Sequence, residues 1–185
     1  LFPYTTLFRS GAAGPSEALT GPRGWAASYG FGTEEPERLE APPGAVDLGA
    51  YALKLYPVNF GAQCAVRLAL DLAGGAAPDA IARAVVSVKS SSAESLSTRA
   101  LPTHVAARFS LPYAVASALV RGRSVLADFD DAAIADPRVR ALMDRVEIRG
   151  DDALERAHLA RGVFPARLEL HLADGTVRRG GLDAP

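Results

Sequence analysis

Two short segments of this 185-residue chain combine residue types that do chemistry with places where chemistry is done. Lys54-Leu55-Tyr56-Pro57-Val58-Asn59-Phe60-Gly61-Ala62-Gln63 puts a lysine at the end of an expected strand, followed by a turn into a helix. Ala107-Arg108-Phe109-Ser110-Leu111-Pro112-Tyr113 puts a tyrosine in the first turn of an apolar helix. The first turn of a helix presents free N–H groups and partial positive charge, which suits a carboxylate. A lysine adds a point charge for the same task, and a tyrosine at the end of a buried apolar helix can pass a proton. Lys54 and Tyr113 are therefore the candidate site residues, expected to converge on one open face of the domain. On residue type alone each also fits a plainer reading, a solvated lysine and a packing tyrosine.

Other chemistry is thinly represented. The GxSxG, Walker A and HExxH patterns are absent, and Gly30-Phe31-Gly32 lacks the third glycine and the preceding strand of a dinucleotide fingerprint. His104, His158 and His171 lie far apart with no metal-ligand spacing. Asp128, Asp130 and Asp131 precede a helix, where capping accounts for them better than a metal does. Ser90-Ser91-Ser92, after Lys89, suits either an anion or an ordinary polar loop.

The elements that must position these groups follow from periodicity. Residues 51–56 are expected as a strand stopped by Pro57. Residues 62–73 place Val66, Ala69, Leu70 and Leu72 on one helical stripe, closed by Gly74. A short helix is expected at 78–82, and a strand at 83–89 with Val86 and Val88 on one face and Val85 and Ser87 on the other. Residues 90–103 are polar and serine-rich, a loop or a short helix under one. Ser110 caps a helix with Pro112 in its first turn, running to Arg121 and closed by Gly122. Asp136-Pro137 repeats that start signal for 138–145, and 146–149 is a short strand. Residues 166–172 alternate cleanly, Leu168, Leu170 and Leu172 inward and Arg167, Glu169 and His171 outward. Asp174-Gly175 then turns a hairpin into 176–179. Strands and helices mix without a steady βαβ rhythm, which predicts an α+β domain with a mixed or antiparallel sheet.

Composition sets the outer limits. Hydrophobic residues make up 49% and charged residues 22%, with mean hydropathy +0.09, as in a chain that buries a core. A formal net charge of −1 carries no footprint for nucleic acid or an anionic membrane. No apolar run approaches the roughly 20 residues of a membrane-spanning helix. The single cysteine, Cys64, rules out an internal disulfide and argues against an iron–sulfur cluster, so the expected compartment is the cytosol. Residues 1–10, LFPYTTLFRS, look like a sequencing adapter read as codons and are set aside, so the natural protein is expected to begin upstream of Gly11. In residues 11–45, rich in Gly, Pro, Ala and Glu, Ser16 caps a short turn and a helix is expected at 25–29. Pro36, Pro42 and Pro43 then mark a connection to the α+β domain at 46–185. That domain is expected to be cut short just after its hairpin.

Read together, the two segments resemble the MmgE/PrpD family. Lys54, Tyr56 and Pro57 fit its K-x-[FY]-P pattern, and Phe60, Ala62, Gln63, Ala65 and Val66 resemble the F-H-A-Q-T-A-V stretch of its dehydratase branch. Gly61 stands where that stretch has histidine, and Asn59 stands where the branch has glutamate. ARFSLPYAVASALVRG (107–122) resembles the A-[RQ]-F-S-[LIF]-x-Y signature, ADFDDAAIADPRVRALMDRVEI (127–148) continues in register, and GPRGW (21–25) resembles the G-P-[KR]-G-F segment ahead of this domain. The resemblance implies a large helical domain, of which residues 11–45 are the tail, and a smaller α+β domain, with the active site between them. It implies that Lys54 and Tyr113 line the pocket and that the histidines and the general base come from the helical domain. It implies a lyase for a small polycarboxylate, with dehydration of a 2-methylcitrate-like substrate first and decarboxylation or epimerisation as alternatives. No metal or organic cofactor is implied, and the partners are the substrate, the helical domain and a second copy in a homodimer. This chain alone is expected to be inactive. A reading of another class, a non-catalytic α+β binding module, is also open.

Overall fold

Along residues 53–185, which the computed structural model describes, the strand and helix signals assemble into a mixed sheet with helices packed against it. The strands are β1 (Ile81–Lys89), β2 (Val146–Asp151), β3 (Ala166–Leu172) and β4 (Val177–Leu182). The helices are α1 (Gln63–Ala73), α2 (Ser90–Leu96), α3 (His104–Arg108), α4 (Leu111–Arg121), α5 (Asp131–Ala135), α6 (Pro137–Met143) and α7 (Asp152–Arg161). The strand order is β2-β1-β3-β4. β2 runs parallel to β1, with Val146 opposite Ala84; β3 runs antiparallel to β1, with Leu168 opposite Val86; β4 returns antiparallel to β3. This is an α+β domain, and Ala52–Pro185 forms one compact unit.

The alternation in β3 does what its spacing predicts. Leu168, Leu170 and Leu172 are buried against α1. On the other face Arg167 reaches Asp151 at 3.1 Å, and Glu169 pairs with His171 at 3.3 Å and Arg179 at 3.5 Å. The hairpin turns where expected because Gly175 adopts φ +86°, a conformation costly to any residue with a Cβ. α4 begins where the Ser110 hydroxyl accepts from Tyr113 N at 3.3 Å and ends at the left-handed Gly122. It is buried nearly all round from Leu111 to Leu119, with α1 on one side and α6 on another. Asp130 and Asp136 cap α5 and α6 through Ala133 N at 2.7 Å and Arg138 N at 3.0 Å, so the acidic residues act as caps.

Several boundaries move. The helix expected at 78–82 is a 3₁₀ turn over Pro78–Ala80, and β1 starts at Ile81. β2 extends to Asp151 because its parallel register continues along β1. α3 and α7 were not expected; α7 buries only Leu154 and so leaves no apolar stripe to detect. The strand expected at 51–56 needs correction: the described part is an irregular loop. The Leu55 and Tyr56 N–H groups both donate to Gln63 Oε1 at 3.1 Å, so they have no strand partner. Positions 51 and 52, the segment 1–10, the turn at Ser16, the helix at 25–29 and the connection at 36–45 lie outside the described residues.

Candidate functional site

Lys54 sits on the loop that Gln63 closes. Gln63 is the first residue of α1 and is 1% exposed. Besides accepting from Leu55 and Tyr56, it donates through Nε2 to Tyr56 O at 2.8 Å and Val58 O at 3.2 Å. One amide side chain thus satisfies four backbone groups of a segment that has no sheet to join. Next in the chain, the Asn59 side chain accepts from Gly61 N at 2.9 Å and starts the 3₁₀ turn Phe60–Ala62. This delivers the Phe60 ring beneath Lys54, whose exposed ammonium lies 5.0 Å from the ring centroid, a cation–π distance.

Residues remote in sequence gather on that ring. Phe60 and Phe164 touch with centroids 5.7 Å apart. Phe164 carries a second ammonium, Lys89 at 5.5 Å, and the His158 ring at 4.6 Å. Lys89, at the end of β1, donates to Ser91 Oγ at 2.7 Å and lies 3.7 Å from Glu155. Glu155 accepts from Ser91 N at 2.8 Å and from Ser91 Oγ at 3.1 Å. Those bonds, the backbone one foremost, hold its carboxyl below the ordinary value, and Lys89 adds to the effect. Of the two readings of the serine run, the chain's own carboxylates take its donors: Ser90 gives its hydroxyl to Asp152 at 2.7 Å. His158 Nδ1 lies 2.8 Å from Val163 O. A carbonyl only accepts, so Nδ1 carries a proton and donates this bond.

Beside Lys54 is a cavity of about 200 Å³ lined by Leu53, Phe60, Cys64, Phe164 and the chain's last residues. Burial, with a smaller push from Asp183, raises the Cys64 thiol to about 11. At neutral pH it is a neutral, weakly polar wall and not a nucleophile.

Tyr113 lies in different surroundings. Its side chain is 0% exposed, its hydroxyl donates to Asp128 O at 2.7 Å, and its ring packs edge-on against Phe129 at 5.6 Å. Burial pushes the phenol above its ordinary value. None of these partners belongs to the Lys54 cluster. The contacts that hold Tyr113 are thus separate from those that hold Lys54, and a tyrosine in the first turn of a helix buried from Leu111 to Leu119 is drawn into the core. Sequence reasoning missed Lys89, His158 and Phe164, which come from three separate elements with no shared motif. His104 instead lines an open cleft of about 640 Å³ with Arg108 and Phe129. Among the described residues, no group of three or more His, Cys, Asp or Glu side chains could hold a metal ion. No helix there is long and apolar enough to cross a membrane.

At position 61 the space beside the backbone is already filled. A Cβ there would lie 2.7 Å from Ser92 Oγ and 3.1 Å from Leu96 Cδ1, so a side chain fits only if those of Ser92 and Leu96 give way.

Comparison with known proteins adds two findings. The sequence model of the MmgE/PrpD C-terminal domain matches residues 56–185. The chain is also 33% identical over 157 residues to a 2-methylcitrate dehydratase of Cupriavidus necator, covering 77% of this chain and 31% of that protein. The chain thus spans about a third of the length of the curated relative it matches.

Proposed function

Because the chain belongs to the MmgE/PrpD family, we propose that the whole protein is a lyase of the dehydratase type, acting on a small polycarboxylate. In such a reaction a base takes the proton on the carbon next to a carboxylate. An acid protonates the hydroxyl on the neighbouring carbon, and water leaves as the double bond forms. Lys54 is the group assigned to the carboxylate, where its charge offsets the negative charge that develops as the proton departs. The observation that carries this reading is the placement of Lys54: exposed, on a loop closed by Gln63, over an aromatic ring beside a cavity. Lys89 is engaged by Ser91 and Glu155, so the ligand's carboxylate falls to Lys54.

Tyr113 is a packing residue in this scheme, its hydroxyl and ring holding Asp128 and Phe129 in place, and not the proton donor. The general base comes from a helical domain outside the described residues, and the working form is a homodimer in the cytosol. The relative being a 2-methylcitrate dehydratase makes a 2-methylcitrate-like substrate the first choice. A decarboxylase- or epimerase-like reaction is the second, and the crowding at Gly61 favours it, since the dehydratase branch carries histidine there.

The test is Lys54→Ala in the full-length protein, following the absorbance of the new double bond. A charge-assisted hydrogen bond of about 1.5–3 kcal/mol corresponds to a fall in kcat/KM of roughly 10- to 150-fold, with Lys54→Arg partly restored. An unchanged kcat/KM in Lys54→Ala removes Lys54 from the site.

A further inference from the structure

A polycarboxylate brings more than one negative charge, and Lys54 answers one of them. Among the described residues, the arginines divide by what their guanidinium groups touch. Nearly every one has a carboxylate within ion-pair distance or donates to a backbone carbonyl, as Arg140 does to Ile134 and Arg145 to Ile81. The exceptions there are Arg156, which is exposed, and Arg108, which is half-buried. The Arg108 Nε is buried and has no hydrogen-bond partner. A guanidinium that has lost part of its water and gained no acceptor is an uncompensated charge, costly until an anion meets it.

The space beside it can hold that anion. Arg108 lines the open cleft of about 640 Å³ with His104, Leu126, Phe129, Asp130 and Asp131. Asp130 is committed to Ala133 N at 2.7 Å, and neither aspartate comes within ion-pair distance of Arg108. Phe129, against which Tyr113 packs, is one of the walls. The cleft also adjoins the Lys54 loop. Asn59 N donates to Arg108 O at 3.0 Å, which ties that loop to the last residue of α3.

We propose that Arg108 holds a further carboxylate of the ligand, so that the protein selects di- and tricarboxylates over monocarboxylates. The terminal N–H groups of the planar guanidinium form a two-pronged donor that matches a carboxylate better than a second ammonium does. Asp130 and Asp131 repel any carboxylate seated away from Arg108, which fixes the direction of the ligand in the cleft. The inference rests on the reading of the ligand as a polycarboxylate with one carboxylate on Lys54.

The experiment titrates this chain with propane-1,2,3-tricarboxylate and with butyrate, which has one carboxylate, following backbone amide resonances by NMR. The tricarboxylate should bind more tightly than butyrate and shift the His104, Leu126 and Phe60 amides with a single Kd. Arg108→Gln should weaken the tricarboxylate by roughly 10- to 150-fold. It should also abolish the shifts at His104 and Leu126 and leave the butyrate shifts at Phe60 as before. Arg108→Lys keeps the stem and the charge, and with a point charge in place of the fork it should retain part of the affinity. If both Arg108 variants bind the tricarboxylate like the parent chain while Lys54→Ala weakens it, the Arg108 site is wrong and the Lys54 assignment stands. If Lys54→Ala changes nothing and Arg108→Gln has its full effect, the Lys54 assignment fails and the carboxylate at Arg108 stands. A tricarboxylate that binds no tighter than butyrate overturns both.

Discussion

Gln63→Leu is the change that probes how the Lys54 loop is held. The substitution puts an apolar side chain of similar bulk into a site that is 1% exposed and removes four hydrogen bonds at 2.8–3.2 Å. Leu55 is 55% exposed, so water can replace the bond to its N–H. Val58 is 2% exposed and Tyr56 is half-buried, so the other three backbone groups lose their partner without an easy substitute. At about 1 kcal/mol per bond the net loss is about 3 kcal/mol, equivalent to a fall in Tm of about 10 °C for a unit of this size. Amide exchange at Leu55 and Tyr56 should accelerate beyond what global unfolding requires. Carboxylate affinity should fall with it, because Lys54 is no longer held over Phe60. Gln63→Glu separates the two halves of the amide: it keeps the acceptor but turns a second oxygen toward the Tyr56 and Val58 carbonyls. That variant should be least stable at neutral pH and recover as acid protonates the carboxyl. A Gln63→Leu variant with wild-type Tm and unchanged exchange at Leu55 and Tyr56 would refute the account, because the loop would then be held by something else.

Tyr113→Phe removes one buried bond and leaves the Asp128 carbonyl unpaired, costing about 1–2 kcal/mol in denaturant unfolding with kcat and KM of the full-length protein unchanged. A large loss of kcat at unaltered stability would return Tyr113 to the reacting atoms. Burial raises the Cys64 thiol from 9.0 to about 11 and raises the Tyr113 phenol as well. Both groups bind their proton more tightly folded than unfolded; for Cys64 the contribution is fully present below pH 9 and is lost as pH climbs through about 11. Thermal unfolding between pH 7 and 11 should show a decline of about 2–3 kcal/mol from Cys64, which Cys64→Ala flattens; a level profile in the parent chain contradicts it.

What the amino-acid sequence determined by itself was the part of the fold written in local signals. The Ser110 cap with Pro112 and Gly122, the Asp136-Pro137 start, the alternation of Leu168, Leu170 and Leu172 and the Asp174-Gly175 turn each involve neighbours within about one turn or one pleat. Their energetics are settled before distant residues arrive, so their positions could be read directly. The family resemblance was legible for the same reason, as ordered motifs around Lys54 and Ser110. α7 was not, because a helix that buries one leucine has almost no periodicity. The site was the least legible. Leu53–Tyr56 carries strand-like residues, but its backbone groups are claimed by a glutamine from the following helix, a partnership no propensity encodes. Lys89, His158 and Phe164 meet Phe60 only because β1, α7 and the segment after α7 close at the same end of the sheet. Tyr113, alike in type to a catalytic residue, was taken into the core because every side of its helix is covered. Burial, ring stacking and charge placement depend on which elements are adjacent in space, and that adjacency exists only once the tertiary structure has formed.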